Sequence, residues 1–499
     1  MIVLARQQIN FIVGMICQVR AISNETKLLC SRSLLNLLTV ANFDNMLDNT
    51  VIRGFAKMVT AESATSATQH LCAKAFSLLS SQHSGRLMLS SHLSNLQALF
   101  GVINTAPERT QVLIAKATFN MLSDDSTRVM SFHANAMTVI KIISTLNLSE
   151  MQELTSQILI TIAFDVSLHK VLLHEPIMAI LILFLNKATG SAFECAVETC
   201  ALYSRIPMFR AQMVDKGIVV AFINASFANK LNSTDIVEGV LRCISFLSFS
   251  DGCTEKMVVD SNIMLVLHTF REISDLKCAA MVALTLRNLS KDVKLAEFII
   301  EQHGIRLLYQ MLKIVEYSES FLLCQSAVIV MENLAKATSF HSKIIEEGIF
   351  MEILLMIASI FFDDAEEMDP SFHELDVIPV VAALHLVAET SSCHKKIVES
   401  SVVATLTNLL SILSPQGLFS AAKTICSLAS SPYCRQDLVD QNAVGLILSI
   451  APKADLLTQS QCTLALAFLS ACTHTPHGIP MSPALVPLSY DFLSTDLCH

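Results

Sequence analysis

The densest set of groups able to do chemistry is Cys472-Thr-His474-Thr-Pro-His477, with three metal-capable side chains in six residues. Structural zinc takes four ligands, commonly from two separated pairs, so three in one short run are expected to form a turn and no metal site. His174-Glu175-Pro176 opens like a zinc-protease helix. It lacks the second histidine, and proline breaks the helix that motif needs. His169 and His174 are five apart, as are Cys195 and Cys200; that spacing does not align two side chains on one helix face. Glu332, Glu346, Glu347 and Glu352 show no paired general-acid arrangement and read as solvent-facing. No phosphate-binding loop, dinucleotide fingerprint or nucleophile elbow occurs. The expectation is a non-enzymatic chain with no cofactor and no metal.

The elements that would position any site are helical. Of 499 residues, 52% are hydrophobic and 16% charged, with only 13 Gly and 12 Pro. Such a chain can bury a large core and is not of the disordered class. Net charge is −10 and lysines and arginines are scattered, which argues against nucleic acid. Fifteen cysteines are spread along the chain, mostly within apolar patterns and with no C-x-x-C pair, implying reduced thiols in the cytosol or nucleus. The N-terminus lacks a basic region ahead of its apolar stretch and so makes a poor secretory signal. The longest uncharged runs, Ile177–Leu185 and Ile353–Phe362, are half of the roughly 20 residues a membrane span needs, so no transmembrane insertion is expected.

One pattern recurs: small residues, a leucine, a variable residue, Asn or Ser, then Leu. It stands in Ser33–Leu38, Ala75–Ser80, Ala117–Leu122, Leu286–Ser290, Met331–Ala335 and Ile425–Ala429. Taking the Leu-like position as anchor gives 37, 78, 121, 162, 202, 246, 289, 334, 388, 428 and 469, spaced by 40–45 residues with a single gap of 54. After each anchor comes a polar turn and a short helix with a basic residue before apolar ones (Arg128-Val-Met, Lys256-Met-Val-Val, Lys343-Ile-Ile, Lys396-Ile-Val). A break follows, as in Asp215-Lys-Gly-Ile218, Gln302-His-Gly-Ile305 and Glu347-Gly-Ile349, then an apolar helix such as Arg306–Leu312 or Met351–Ile357. Glycine is expected to supply the left-handed stop. One such unit cannot cover its own apolar face; stacked units cover each other.

This layout resembles the armadillo family, most specifically in Ala283–Ser290 and Ser326–Ala335, over roughly residues 10–493. Between 150 and 250 the likeness is loose, and HEAT-type geometry is the alternative there. The resemblance implies an all-α, right-handed α-α superhelix of about eleven ~42-residue repeats. We therefore expect one solenoid over 1–493, beginning inside a repeat with a second helix at 9–22, and a short tail at 494–499. The 54-residue gap marks an acidic insertion at 361–376, read as a solvated loop or as a docking loop for a basic partner through Asp363, Asp364, Glu366, Glu367 and Asp369.

In peptide-binding armadillo proteins the third-helix Asn lies in the concave groove and bonds the ligand main chain. The matching positions are Asn36, Asn120, Asn288 and Asn333, with Arg287 and Glu332 beside the last two. An amide suits two roles equally well, binding a partner or bracing the turn between repeats. Nuclear-import adaptors pair each such Asn with a Trp one turn earlier; this chain has no Trp. The functional expectation is a cytoplasmic scaffold or adaptor binding extended or helical protein segments. Its place would be a larger cytoskeletal or ciliary assembly; the alternative is a transport or small-GTPase regulatory adaptor.

Overall fold

The structure, a computed structural model, describes residues 23–40, 49–60, 64–146, 148–271, 275–313, 321–363 and 370–471. Among these every regular element is helical and there is no strand. Each anchor position falls near the C-terminal end of a long helix. We number these helices α1 (Asn24–Val40), α2 (Ser66–Ser80), α3 (Glu108–Ser123), α4 (Ser149–Ala163), α5 (Ser191–Arg205), α6 (Thr234–Ser248), α7 (Leu276–Leu289), α8 (Phe321–Ala335), α9 (Pro370–Ala388), α10 (Pro415–Ser430) and α11 (Leu456–Ser470). Their starts are written in short polar side chains that accept an otherwise orphaned N–H. Thr65 accepts from Thr68 N, Ser233 from Ile236 N, Asp275 from Cys278 N and Asp455 from Thr458 N. Ser414 does the same for Gly417 N, with Pro415 in the first turn where its missing N–H costs nothing.

Contacts divide the chain into two compact units, Met1–Ser250 and Asp251–His499. In the first, α1 packs on α2, α2 on α3, and so on in sequence to α6. A second layer stacks beside it, with Asn49–Thr60 on Leu93–Gly101 and Ile177–Lys187 on Ile218–Phe227. In the second unit α7 to α11 stack in turn, and Gly304–Lys313, Ile349–Asp363, Val402–Leu409 and Ala443–Ile450 form the other layer. This consecutive helix packing is consistent with a solenoid. No single helix among the described residues is long and apolar enough to cross a membrane.

The left-handed stop between short and second helix recurs at the repeat period, but glycine fills it only at Gly217 (φ 91°) and Gly348 (φ 73°). Asn135, Asn262, His303, Ser401 and Asn442 fill it elsewhere, with φ between 48° and 77°. Asn enters this region readily because its short amide bonds locally; Ser and His are strained there. In the Gln302–Ile305 break the turn is made by His303, one residue before the expected glycine. Gly304 serves another need: a Cβ there would lie 2.3 Å from Ile299 Cγ2.

The expected insertion at 361–376 is mostly helical backbone. Residues 361–363 extend the helix Ile349–Asp363, and 370–376 form the first turns of α9, which Pro370 opens. Asp363 ends its helix; Asp364, Glu366, Glu367 and Asp369 lie outside the described residues, as do residues 9–22, Cys472, His474, His477 and the tail.

Candidate interaction surface

The four asparagines do not form a row of free amides. Asn36 is exposed on α1. Asn120 Nδ2 donates to Ser80 Oγ (3.2 Å), tying α3 to the last residue of α2. Asn333, buried, donates from Nδ2 to Ser290 Oγ (3.2 Å) just past α7, while its Oδ1 accepts from Lys336 Nζ (3.2 Å). Both serines also donate to a carbonyl three residues back, Ser77 O and Arg287 O. The same brace therefore occurs in both units. Asn288 is buried, 3% exposed. Glu332 pairs with Lys336 (3.2 Å), one turn on. Arg287 is half-buried and makes no ion pair among the described residues.

Of the basic residues expected in the short helices, Arg128 caps the preceding long helix, whereas Lys396 Nζ donates to Glu346 O (3.2 Å) and Lys343 lies over the Phe340 ring, and in those two repeats a histidine does the capping instead. Each capping side chain donates to the carbonyl six residues earlier, at the buried C-terminal end of the preceding long helix. In the first unit these bonds are Arg86 Nη1 to Ser80 O (3.0 Å), Arg128 Nε to Leu122 O (2.7 Å), His169 Nε2 to Ala163 O (2.8 Å) and Arg210 Nε to Ser204 O (2.8 Å). In the second they are His341 Nε2 to Ala335 O (2.6 Å), His394 Nε2 to Ala388 O (2.8 Å) and Arg435 Nε to Ala429 O (2.9 Å). A cationic or N–H donor here satisfies orphan carbonyls at the negative helix end. Arg86 Nε also reaches Asp124 of the next repeat (2.7 Å), as does His83 Nδ1 (2.8 Å). Hydrogen bonds from Ser126, Arg86 and His83 hold the Asp124 carboxyl well below the usual carboxylate range.

Sequence reasoning missed one surface, on α4–α6. These helices run side by side in register: Thr199 Oγ1 donates to Ser156 O (3.4 Å), Tyr203 Oη to Leu159 O (3.3 Å) and Cys243 Sγ to Cys200 O (3.6 Å). Registered helices place equivalent residues in rows. Toward the N-terminal ends lie Glu153, Glu194, Glu198, Asp235 and Glu238; Glu194, Glu198 and Asp235 line a shallow cleft of about 250 Å³ together with Ile160, Cys195, Val197 and Ile236. Arg242 answers part of this charge, reaching Glu198 (3.2 Å) and Glu238 (2.9 Å). Ser191 Oγ donates to Glu153 (3.1 Å). Glu194 and Asp235 make no ion pair among the described residues. Cys195, half-buried in this row, has its thiol pushed up by burial and then by Glu153, Glu194 and Glu198.

At the other end of the same helices lie several exposed apolar side chains, with exposed Arg205 among them at the end of α5. Phe164 is 67% exposed, Val166 76%, Met208 42% and Phe249 45%. Each follows the last turn of α4, α5 or α6. Half-buried Ile160, Leu202 and Phe246 form the row between, the Phe246 and Phe249 rings 6.3 Å apart. The signal was present in sequence as Glu194/Glu198 and Glu238/Arg242, four apart and one repeat apart.

No family model matches the chain, and no curated protein does. Solved structures do. One is an engineered protein, 18% identical, with a TM-score of 0.53 over 85% of this chain and 100% of that one. Another comes from a structure on the phosphorylation switch that controls the interaction between cadherin and β-catenin. It is 13% identical, with a TM-score of 0.53 over 93% of this chain and 99% of that one. At such identities the likeness is one of fold, and it is compatible with an armadillo-like solenoid.

Proposed function

We propose that the chain is a non-enzymatic protein-interaction scaffold, built as a right-handed superhelix of about eleven armadillo-like units and working in the cytoplasm. The observation that carries this reading is the surface of α4–α6, where exposed Phe164 and Phe249 share a face with the unpaired carboxylates of Glu194 and Asp235. Scattered single apolar residues need no partner, but an apolar row rimmed by charge is what interaction sites look like. The fold likeness to a structure of the cadherin–β-catenin interaction supports protein segments as ligands. As a scaffold the chain would be a lasting component of a larger assembly, cytoskeletal or ciliary.

The carboxylate row favours a second reading, a transport or small-GTPase regulatory adaptor that binds transiently. Long-range steering by charge raises association rates and is screened by salt. Native affinity capture of the full chain, with mass spectrometry at low and at about 0.3 M salt, tests both. Stoichiometric partners retained at both salts support the scaffold; partners shed at higher salt support the transient adaptor; no stoichiometric partner at either salt overturns both.

A further inference from the structure

We infer that the face of α4–α6 receives an amphipathic helix of a partner protein, with its apolar side on the aromatic row and a Lys/Arg flank over the carboxylate row. This rests on the interaction-protein reading above and specifies its occupant.

The first ground is what the face lacks. An extended peptide brings unpaired backbone N–H and C=O groups and needs amides to meet them. Asn120, Asn288 and Asn333 each stand two residues before the end of their helix register at Leu122, Ser290 and Ala335; the same place on α4, α5 and α6, before Ala163, Ser204 and Ser248, is held by Thr161, Leu202 and Phe246. No amide ladder exists here. A helix has its backbone bonds satisfied internally and asks only for side-chain contacts.

Spacing is the second ground. Packed helices lie about 8–10 Å apart, and two turns of a helix, seven residues, advance about 10.5 Å. A helix lying across α4, α5 and α6 would therefore present one apolar side chain per anchor helix at i, i+7 and i+14. With flanking turns this is a segment of about 18 residues.

Charge sets the flank. Residues 153, 157, 160 and 164 share one face of α4; 194, 198, 202 and 205 share one of α5; 238, 242, 246 and 249 share one of α6. On α4 the order runs from carboxylate to apolar; on α5 Glu194 and Glu198 precede Leu202 and an exposed Arg205, and on α6 Glu238 precedes Arg242, which is paired to Glu198 and Glu238, and then Phe246 and Phe249. From Glu198 to Leu202 is four residues, about 6 Å of rise, within reach of a Lys or Arg side chain from a helix seated on the apolar row. The apolar edge gives such a helix its seat, and the unpaired Glu194 and Asp235 fix which way its basic flank faces.

The test uses the full chain and fluorescence anisotropy with synthetic 18-residue peptides. The probe is a designed amphipathic helix with Leu on one side and Lys and Arg on one flank. One control replaces the basic residues by Glu; another keeps composition but carries two central prolines. Two chain variants change exposed side chains that make no hydrogen bond or ion pair among the described residues: Phe164→Ser with Phe249→Ser, and Glu194→Lys with Asp235→Lys. Circular dichroism melting checks that each folds as the parent does. The basic helix should bind at least about tenfold more tightly than either control, and each double variant should weaken it at least about tenfold.

The inference is overturned if the parent does not bind the basic helix, or if the proline-broken peptide binds as well. It is equally overturned if the phenylalanine pair has no effect, which would mean loose charge attraction alone. Capture with the charge-reversed variant separates this inference from the broader reading. If that variant retains every partner, the helix site fails and the scaffold stands; if the parent itself captures nothing, the scaffold reading fails.

Discussion

His341 is the most exacting place to test how the repeats are tied together. Its Nε2–H donates to Ala335 O (2.6 Å), the last residue of α8, and its Nδ1 accepts from Thr390 Oγ1 (2.7 Å) beyond α9. The ring is 1% exposed. His341→Ala removes both bonds, each worth about 1 kcal/mol net, and leaves a buried carbonyl without its donor at a cost of about 1–3 kcal/mol. Some of this is recovered as water or neighbours move in, so the expected loss is about 3 kcal/mol. Long repeat arrays need not unfold in one step. The assay is therefore urea unfolding followed by hydrogen exchange of peptides from α8 and α9, which reads the stability of that region itself. Glu347→Ala, at an exposed position a few residues on, is the control and should change it by less than about 0.5 kcal/mol. Because Arg435 does the same work toward Ala429 O, Arg435→His should keep more stability than Arg435→Ala. A loss below about 0.5 kcal/mol in His341→Ala, or equal losses in the two Arg435 variants, would refute the capping role.

In Gly239→Ala the added Cβ falls 2.7 Å from Val197 Cγ1. Overpacking costs about 1–3 kcal/mol and exceeds the roughly 1 kcal/mol gained in helix propensity, so thermal stability should fall, and Val197→Ala in the same chain should restore part of it. His303→Gly relieves a left-handed residue at φ 60° and should stabilise the second unit by up to about 1 kcal/mol, read as a raised urea midpoint; a lowered midpoint would count against strain there. Asp124 has a depressed folded-state pKa, so its stabilisation is present above the ordinary carboxylate range and is lost as pH falls through and below that range. Asp124→Asn should accordingly cost stability at neutral pH and flatten the acid limb of the pH–stability curve; an unchanged acid limb would contradict the assignment.

The helix order was legible because the chain repeats one packing problem many times. A Leu-like anchor every 40–45 residues marks where a long helix ends, and all of the anchors lie in such ends. The left-handed stops were only partly legible. A search for glycine finds Gly217 and Gly348 but not Asn262 or Asn442, whose amides tolerate the same backbone, nor Ser401 at φ 62°. The basic residue of the short helix was visible as Arg128, yet its target, a carbonyl six residues back, is fixed by the turn between helices. His169, His341 and His394, doing the same work, look like unrelated core histidines in sequence. For Asn120 and Asn333 sequence left two roles open, and the side chains lie against the neighbouring repeat's serine. The α4–α6 surface was hidden because its parts are single residues a repeat apart, and only the register of the helices assembles them.

The most direct measurement is zero-length carbodiimide coupling on the native complex, which joins lysine amines to carboxylates in contact. The expected result is partner lysines linked to Glu194, Glu198 or Asp235, and loss of those links in the Phe164→Ser, Phe249→Ser variant. Links confined to carboxylates elsewhere on the chain, or none to any partner, would contradict a docking face on α4–α6.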